Sequence, residues 1–196
     1  MMIIGVTGGI GAGKSSVSKI LQDFGAIVID ADQISRSVVQ PHKPAWMEIK
    51  KSFGDSVFNI DDTLDRSKLA KIVFSSEEKK LELERIIHKE VVNEIEENVK
   101  SLKASAYDGI VVLDVPIPVK RGFLDIVDRV WVVTSHDELR IKRVMERSGI
   151  SREDAENRIN SQLTQEEYKE LAHEVIENNG SLGELKRKVK GLYESI

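Results

Sequence analysis

Residues 8–15 read Gly-Gly-Ile-Gly-Ala-Gly-Lys-Ser, and this glycine-rich segment carries most of the information on the fold. It fits the pattern G-x-x-x-x-G-K-[ST] and stands between an apolar run, Met2–Thr7, and a helical pattern over Lys14–Phe24. Glycines let the backbone turn tightly and bring its N–H groups close to phosphate oxygens, and a helix N-terminus attracts the same anion. The segment therefore predicts a nucleotide-binding loop, whose candidate binding residues are Gly8, Gly9, Ile10, Gly11, Ala12, Gly13, Lys14, Ser15 and Ser16.

Two side chains of the loop have separate predicted roles. Lys14 supplies a positive charge for the β- and γ-phosphates, and the Ser15 hydroxyl can hold magnesium. ATP is the predicted co-substrate and Mg²⁺ its metal. The dinucleotide fingerprint G-x-G-x-x-G is not matched, so a Rossmann oxidoreductase is disfavoured.

Four more apolar runs predict buried strands, and helical patterns separate them. The runs are continuously apolar, which is typical of a parallel sheet covered on both faces. The predicted fold class is α/β, a P-loop NTPase three-layer fold with a parallel sheet of about five strands, a helical substrate-binding insertion and a helical lid. The four runs are Ala26–Asp30, Gly109–Asp114, Arg129–Thr134 and Glu174–Ile176.

The length of the chain predicts a single domain over residues 1–196 with two helical additions, and the family resemblance of its motifs implies that this is a P-loop kinase domain with an acceptor-binding insertion and a lid. The core covers about 1–32, 107–135 and 172–196, the insertion about 33–106 and the lid about 136–171. Within the insertion, Ser75–Leu102 predicts one long amphipathic helix. The insertion either binds the acceptor or is a structural cap. The apolar stripe of the long helix comprises Leu83, Ile87, Val91, Ile95, Val99 and Leu102.

Two carboxylates follow predicted strands. Asp32 comes just after the second strand, where it could accept the proton of an attacking hydroxyl, or could instead cap the next helix, with Asp30 beside a metal-bound water. Asp114 closes the third strand, where it could hold magnesium through water or be a simple turn residue.

Three arginines, Arg140, Arg143 and Arg147, share one face of a predicted helix. If this helix closes over ATP, Arg140 and Arg143 would stabilise charge on the transferring phosphoryl group. The alternative is a solvated basic face, paired with Glu138 and Glu146.

Composition excludes several classes of protein. The chain has 196 residues, no cysteine and a net charge of −4, so disulfides, thiolate zinc sites and a cysteine nucleophile are excluded. A basic field for nucleic-acid binding is missing, and no apolar run approaches the roughly 18 residues of a membrane helix. We expect a cytoplasmic protein with no nucleic-acid or membrane partner.

The motifs together resemble those of the dephospho-CoA kinases, which phosphorylate the ribose 3′-hydroxyl of dephospho-CoA with Mg-ATP. The glycine loop and the Val28–Asp32 segment are similar to the start of that family. The similarity runs in order through about nine-tenths of the chain. It continues at Leu64-Asp65-Arg66, at Leu83-Glu84 through His88, at Asp114-Val115-Pro116, at Gln162, and at Val175-Ile176 with Asn178 and Gly180.

The resemblance implies roles for individual residues. Asp32 would be the general base, Arg66 and His88 would bind dephospho-CoA, and Asn178 would lie near the adenine. Lys120 stands where the family usually has an acid. Two alternatives remain: another small-molecule kinase, acting on a nucleoside, nucleotide or sugar acid, or a nucleotide-binding protein without catalysis. We expect a monomer or a weak homo-oligomer.

Overall fold

The computed structural model describes residues 1–116 and 123–196, so Lys120 lies outside the described residues. Five strands form one parallel sheet in the order β2-β3-β1-β4-β5. This confirms the predicted fold class. The strands are β1 (Met2–Thr7), β2 (Ile27–Asp30), β3 (Ile110–Asp114), β4 (Arg129–Thr134) and β5 (Glu174–Glu177).

The described helices alternate with these strands and also form two longer helical stretches. They are α1 (Lys14–Asp23), α2 (Ala31–Ser37), α3 (Pro44–Phe53), α4 (Arg66–Ser75), α5 (Glu77–Ala104), α6 (Asp137–Ser148), α7 (Arg152–Asn160), α8 (Gln165–Glu170) and α9 (Leu182–Tyr193).

The sheet is covered on both faces, as its continuously apolar strands require. Trp131 and Val133 of β4 pack with α1 and α9, whereas Val130 and Val132 face the other way and pack with Tyr168 of α8. The alternation follows the period of two in a strand. Because β1 lies between β3 and β4, the loop after β1 leaves the sheet at a topological switch point, where ligands bind in folds of this kind.

The chain divides into two compact units. One comprises Met1–Asp30 with Lys103–Ile196 and contains the sheet; the other, Ala31–Leu102, is helical. The predicted insertion covered about 33–106.

Within the helical unit, α5 is the predicted long amphipathic helix. Its most buried residues are Ile86, Val92, Ile95 and Val99. Leu83, Ile87 and Val91 of the predicted stripe are only half-buried, so the buried face is rotated slightly from the predicted one. None of the helices in the described ranges is both long enough and apolar enough to span a bilayer.

Candidate active site

The glycine loop connects β1 to α1 in a conformation that only glycines adopt freely. Gly8, Gly11 and Gly13 have φ angles of 143°, 80° and 99°. Gly13 is the N-cap of α1, and a Cβ at this position would collide with the side-chain amide of Asn178. Lys14 is the first residue of α1, and Ser15 is exposed in its first turn. The positive end of the helix dipole therefore lies at the loop.

Side chains from elsewhere in the sheet unit bind three successive carbonyl groups of the loop. The buried guanidinium of Arg140, only 3% exposed, donates from Nε to the Ile10 oxygen at 3.2 Å. Arg143 Nη1 lies 3.2 Å from the Gly11 oxygen and 3.4 Å from the Ala12 oxygen. The peptide bond is planar and trans, so a carbonyl held on one side directs the N–H of the next residue to the other.

Asn178 completes this set of contacts. Its side-chain Nδ2 donates to the Ala12 oxygen at 2.8 Å. Its backbone carbonyl oxygen accepts from Arg143 Nη2 at 3.1 Å and from Ser135 Oγ at 2.8 Å. Its place near the adenine stays a prediction, and its side-chain amide is hydrogen-bonded to the loop. Ser135, which also accepts from Arg143 Nη1 at 3.1 Å, was not among the predicted residues.

The N–H groups of the loop divide into two sets. Ala12 N–H donates to the Gly9 oxygen at 3.1 Å, and Ile10 N–H donates to Gln162 Oε1 at 2.7 Å. Within residues 1–116 and 123–196, the N–H groups of Gly11, Gly13 and Ser15 have no hydrogen-bond acceptor. These three groups, at the start of a helix, form the kind of concave N–H surface that binds phosphate.

The predicted lid, about 136–171, contains α6, α7 and α8. Ile141 and Val144 of α6 pack with Ala155 of α7. Arg152 of α7 binds Glu138 of α6 through two bonds of 2.6 and 3.0 Å, and its guanidinium lowers the pKa of that carboxyl.

The three lid arginines occupy different environments. Arg140 is buried against the loop and pairs with Asp137 at 3.0 Å, Arg143 is half-buried, and Arg147 is exposed. The alternative of a solvated basic face paired with Glu138 and Glu146 is wrong for Arg140 and Arg143, because both are bound to the loop. Glu138 pairs with Arg152, and Glu146 with Lys142 at 3.9 Å.

Two carboxylates lie at the carboxyl ends of neighbouring strands. Asp30 of β2 and Asp114 of β3 are partners in the parallel register. Asp114 is buried, and its Oδ2 accepts from Ser18 Oγ of α1 at 2.7 Å, which fixes its carboxylate towards the helix that begins at the loop. These hard oxygen ligands suit magnesium, which takes few protein ligands and keeps waters and phosphate oxygens. No group of three or more His, Cys, Asp or Glu residues converges in the described ranges.

The helical unit holds the three residues predicted for the acceptor side. Asp32 is exposed in the first turn of α2, which begins one residue after β2 ends. Arg66 is the exposed first residue of α4, whose N-cap, Asp65, accepts from Lys68 N–H at 3.0 Å. Arg66 lines a mainly apolar groove of about 250 Å³ with Leu69, Val73, Leu83 and Ile87, among others. His88 follows Ile87 on α5 and is exposed.

Comparison with known proteins shows which family this chain resembles. The family model described as "CoaE: Dephospho-CoA kinase" matches residues 2–184. A dephospho-CoA kinase of Carboxydothermus hydrogenoformans is 45% identical over 180 residues, covering 92% of this chain and 87% of the relative.

Solved structures agree with the sequence comparison. "Crystal structure of TT1252 from Thermus thermophilus" is 33% identical, with a TM-score of 0.79 and coverage of 100% of this chain and 97% of the other. A dephospho-CoA kinase from Campylobacter jejuni is 26% identical, with a TM-score of 0.68 and coverage of 98% and 96%. The resemblance that the motifs suggested is confirmed at the level of the family.

Proposed function

The chain belongs to the dephospho-CoA kinase family, and we propose that it transfers the γ-phosphoryl group of ATP to the ribose 3′-hydroxyl of dephospho-CoA, giving coenzyme A. The observation that carries the proposal is the glycine loop at the carboxyl end of β1, where the N–H groups of Gly11, Gly13 and Ser15 have no acceptor among the described residues. A triphosphate is the ligand that such a surface binds best.

The ATP side of the reaction uses the loop and the lid. The loop N–H groups and the ammonium of Lys14 bind the β- and γ-phosphates. Arg140 is the lid arginine best placed to act on the phosphates, because its buried Nη2 has no hydrogen-bond partner in the part of the chain that the structure describes. A buried guanidinium N–H without a partner is costly, and a phosphate oxygen would satisfy it. Arg143 already donates to three backbone carbonyls, so its role is to hold the loop.

Ser15 and Asp114 would hold magnesium, Ser15 directly and Asp114 through water, as the hydroxyl and carboxylate oxygens at this edge of the sheet allow. When bound, the ion offsets negative charge on the phosphates.

The acceptor side uses the helical unit. Asp32 orients the 3′-hydroxyl and accepts its proton, while Arg66 and His88 bind dephospho-CoA. The exposed carboxylate of Asp32 in the first turn of α2 supports this role, because solvent contact leaves it accessible to a substrate hydroxyl. Transfer is direct and in line, with positioning and electrostatics supplying most of the rate and no covalent intermediate.

The test is ATP consumption by the purified protein with magnesium, with and without dephospho-CoA, with the product identified by its mass. We expect a product heavier by one phosphate, dependent on dephospho-CoA and lost in Lys14→Ala. ATP binding without transfer to dephospho-CoA would overturn the acceptor assignment, and a panel of nucleosides, nucleotides and sugar acids would then identify another acceptor. No transfer to any of them would favour a binding protein.

The partners proposed beyond the small-molecule substrate are few. The net charge of −4 supports the absence of a nucleic-acid partner, and we propose a monomer or a weak homo-oligomer, which light scattering at two protein concentrations would test.

A further inference from the structure

Ile10, at the tip of the glycine loop, is bound by the lid in three ways. Its side chain packs against the apolar cluster of α6 and α7, which comprises Ile141, Val144 and Ala155 with Met145, Ile150 and Ile159. Its carbonyl oxygen accepts from Arg140 Nε at 3.2 Å. Its N–H donates to the side chain of Gln162, two residues after α7 ends, at 2.7 Å.

The bond to Ile10 fixes the orientation of the Gln162 carboxamide. A backbone N–H can only donate, so the atom of Gln162 that faces it is the carbonyl oxygen, and the NH₂ group lies on the other side. Arg140 Nη2 and Gln162 Oε1 both lie near Gly9, at 2.5 and 3.7 Å from the place that a Cβ of Gly9 would take. Gln162 and Arg140 therefore flank the same glycine.

Four successive peptide units of the loop are held by side chains from outside it. Gln162 holds the unit between Gly9 and Ile10 through the N–H of Ile10. Arg140 holds the next unit through a carbonyl, and Arg143 holds the two after that, the last together with Asn178. Only Gln162 acts by accepting an N–H, so it removes one N–H group from the set that could face an anion.

We propose that Gln162 is a positioning residue for phosphate binding: by accepting the Ile10 N–H it fixes the first peptide unit of the loop tip and couples the end of the lid to the loop. The proposal rests on the proposed ATP-binding role of the loop, but not on the identity of the acceptor. Without this bond the unit between Gly9 and Ile10 keeps, among the described residues, only the bond from Ala12 N–H to the Gly9 oxygen. It therefore rotates more easily, and the N–H groups that follow lose part of their common direction. Gln162 therefore acts through the backbone and need not touch the phosphates.

The first test uses the unaltered protein. In ¹⁵N NMR spectra, addition of Mg-ATP is expected to shift the amide resonances of Gly11, Gly13 and Ser15 strongly and that of Ile10 weakly. The Ile10 amide is also expected to exchange slowly with solvent before and after ATP is added. An Ile10 resonance that moves as far as the other three would overturn the proposal, because that N–H would then be bound to phosphate. Rapid exchange of the Ile10 amide in both states would also overturn it.

The second test uses Gln162→Met, which keeps the length of the side chain and removes the acceptor, with Asn160→Ala as a matched control. Asn160 is exposed at the end of α7, and its side chain makes no hydrogen bond within the described residues. Loss of one backbone hydrogen bond predicts a three- to tenfold rise in the Kd for Mg-ATP, measured by calorimetry without acceptor. The melting temperature should fall by about 2–4 °C, because methionine leaves the Ile10 N–H without its acceptor.

In turnover assays, Gln162→Met should raise the KM for ATP by the same factor, with kcat reduced less. An unchanged Kd, or an equal rise in Asn160→Ala, overturns the proposal. If the unaltered protein binds ATP with this dependence on Gln162 and yet does not phosphorylate dephospho-CoA, the proposed acceptor is wrong and the role of Gln162 stands.

Discussion

Replacement of Arg143 by methionine separates two roles for a lid arginine, holding the loop or contacting the phosphate. Its guanidinium donates to the carbonyl oxygens of Gly11, Ala12 and Asn178 and to Ser135 Oγ. Methionine has nearly the same length and no donor. The variant therefore removes these hydrogen bonds while preserving much of the packing.

The expected loss of unfolding free energy depends on which acceptors of the Arg143 hydrogen bonds keep another donor in the variant. The Ala12 oxygen keeps Asn178 Nδ2 at 2.8 Å, and the Asn178 oxygen keeps Ser135 Oγ at 2.8 Å. The Gly11 oxygen has no other donor within the described ranges. One orphaned, half-buried acceptor costs about 1–3 kcal/mol, so we expect a loss of about 2 kcal/mol in unfolding free energy. In a chain of this size that corresponds to a fall of about 4–8 °C in melting temperature.

ATP binding should weaken at the same time, because the Ala12 carbonyl, which Arg143 helps to hold, determines where the N–H group of Gly13 points. Loss of about one phosphate hydrogen bond predicts a rise of about tenfold or more in Kd. Thermal unfolding measures the change in stability, and titration calorimetry measures the Kd for ATP. The control is Lys142→Met, at the preceding residue, which is exposed and whose one ion pair within the described residues is with Glu146, at 3.9 Å.

A different pattern would refute the positioning role. If Arg143→Met keeps its stability to within about 0.5 kcal/mol and its affinity for ATP, while kcat falls about 10³-fold, then Arg143 acts on the transferring phosphoryl group. Arg143→Lys should be intermediate in stability, because an ammonium keeps the charge and cannot reach all of these acceptors from one position.

Three further predictions concern the acceptor base, a buried tyrosine and a loop glycine. Asp32→Asn should lower kcat by about 10²–10⁴-fold and leave the Kd for ATP within about twofold; undiminished turnover would end its assignment as the base. Burial raises the pKa of Tyr168, so its contribution to stability is full below the unfolded value near 10 and is lost as the pH rises through the folded value. Tyr168→Phe, which also loses the 3.1 Å bond to the Pro116 oxygen, should cost about 1 kcal/mol near neutral pH and reduce the slope of unfolding free energy against pH above about 10; an unchanged slope would contradict this. Gly13→Ala should lose about 1–3 kcal/mol of stability and weaken ATP binding, since φ is 99° and the new Cβ meets Asn178; a melting temperature equal to that of the parent would show that the loop can rearrange.

Much of the fold could be predicted because its signals are local. An apolar run with no period of 3.6 specifies a buried strand, and Met2–Thr7 and Arg129–Thr134 have the predicted bounds. The predicted second strand began one residue early. Ala26 is apolar, but its N–H instead donates to the Leu21 oxygen at 3.0 Å and closes the end of α1. Hydrophobicity does not encode such a bond, so strand ends are predicted less well than strand centres.

The features of the candidate site also differ in whether a local sequence signal specifies them. The glycine pattern specifies the loop and the helix N-terminus, because both depend on residues adjacent in the chain. The contacts that orient the loop join residues more than 100 positions apart, such as Gln162 with Ile10 and Asn178 with Ala12. A sequence gives the donors and acceptors but not their pairing. The one local signal that Gln162 could bind the loop was its position just after α7, a helix of the predicted lid.

The lid arginines show why spacing alone was not enough to assign them. Residues 140, 143 and 147 share one face of a helix, since steps of three and four return to nearly the same angle. They differ in position along the axis, where each residue adds 1.5 Å, so Arg147 lies about 10 Å beyond Arg140. The tip of the loop, Ile10–Ala12, is shorter than that distance. Two arginines can therefore bind its carbonyls while the third extends past it into solvent, as its exposure shows. The angular period of the helix predicts the face that meets the loop, but where the loop lies along that face is determined by the sheet that holds both.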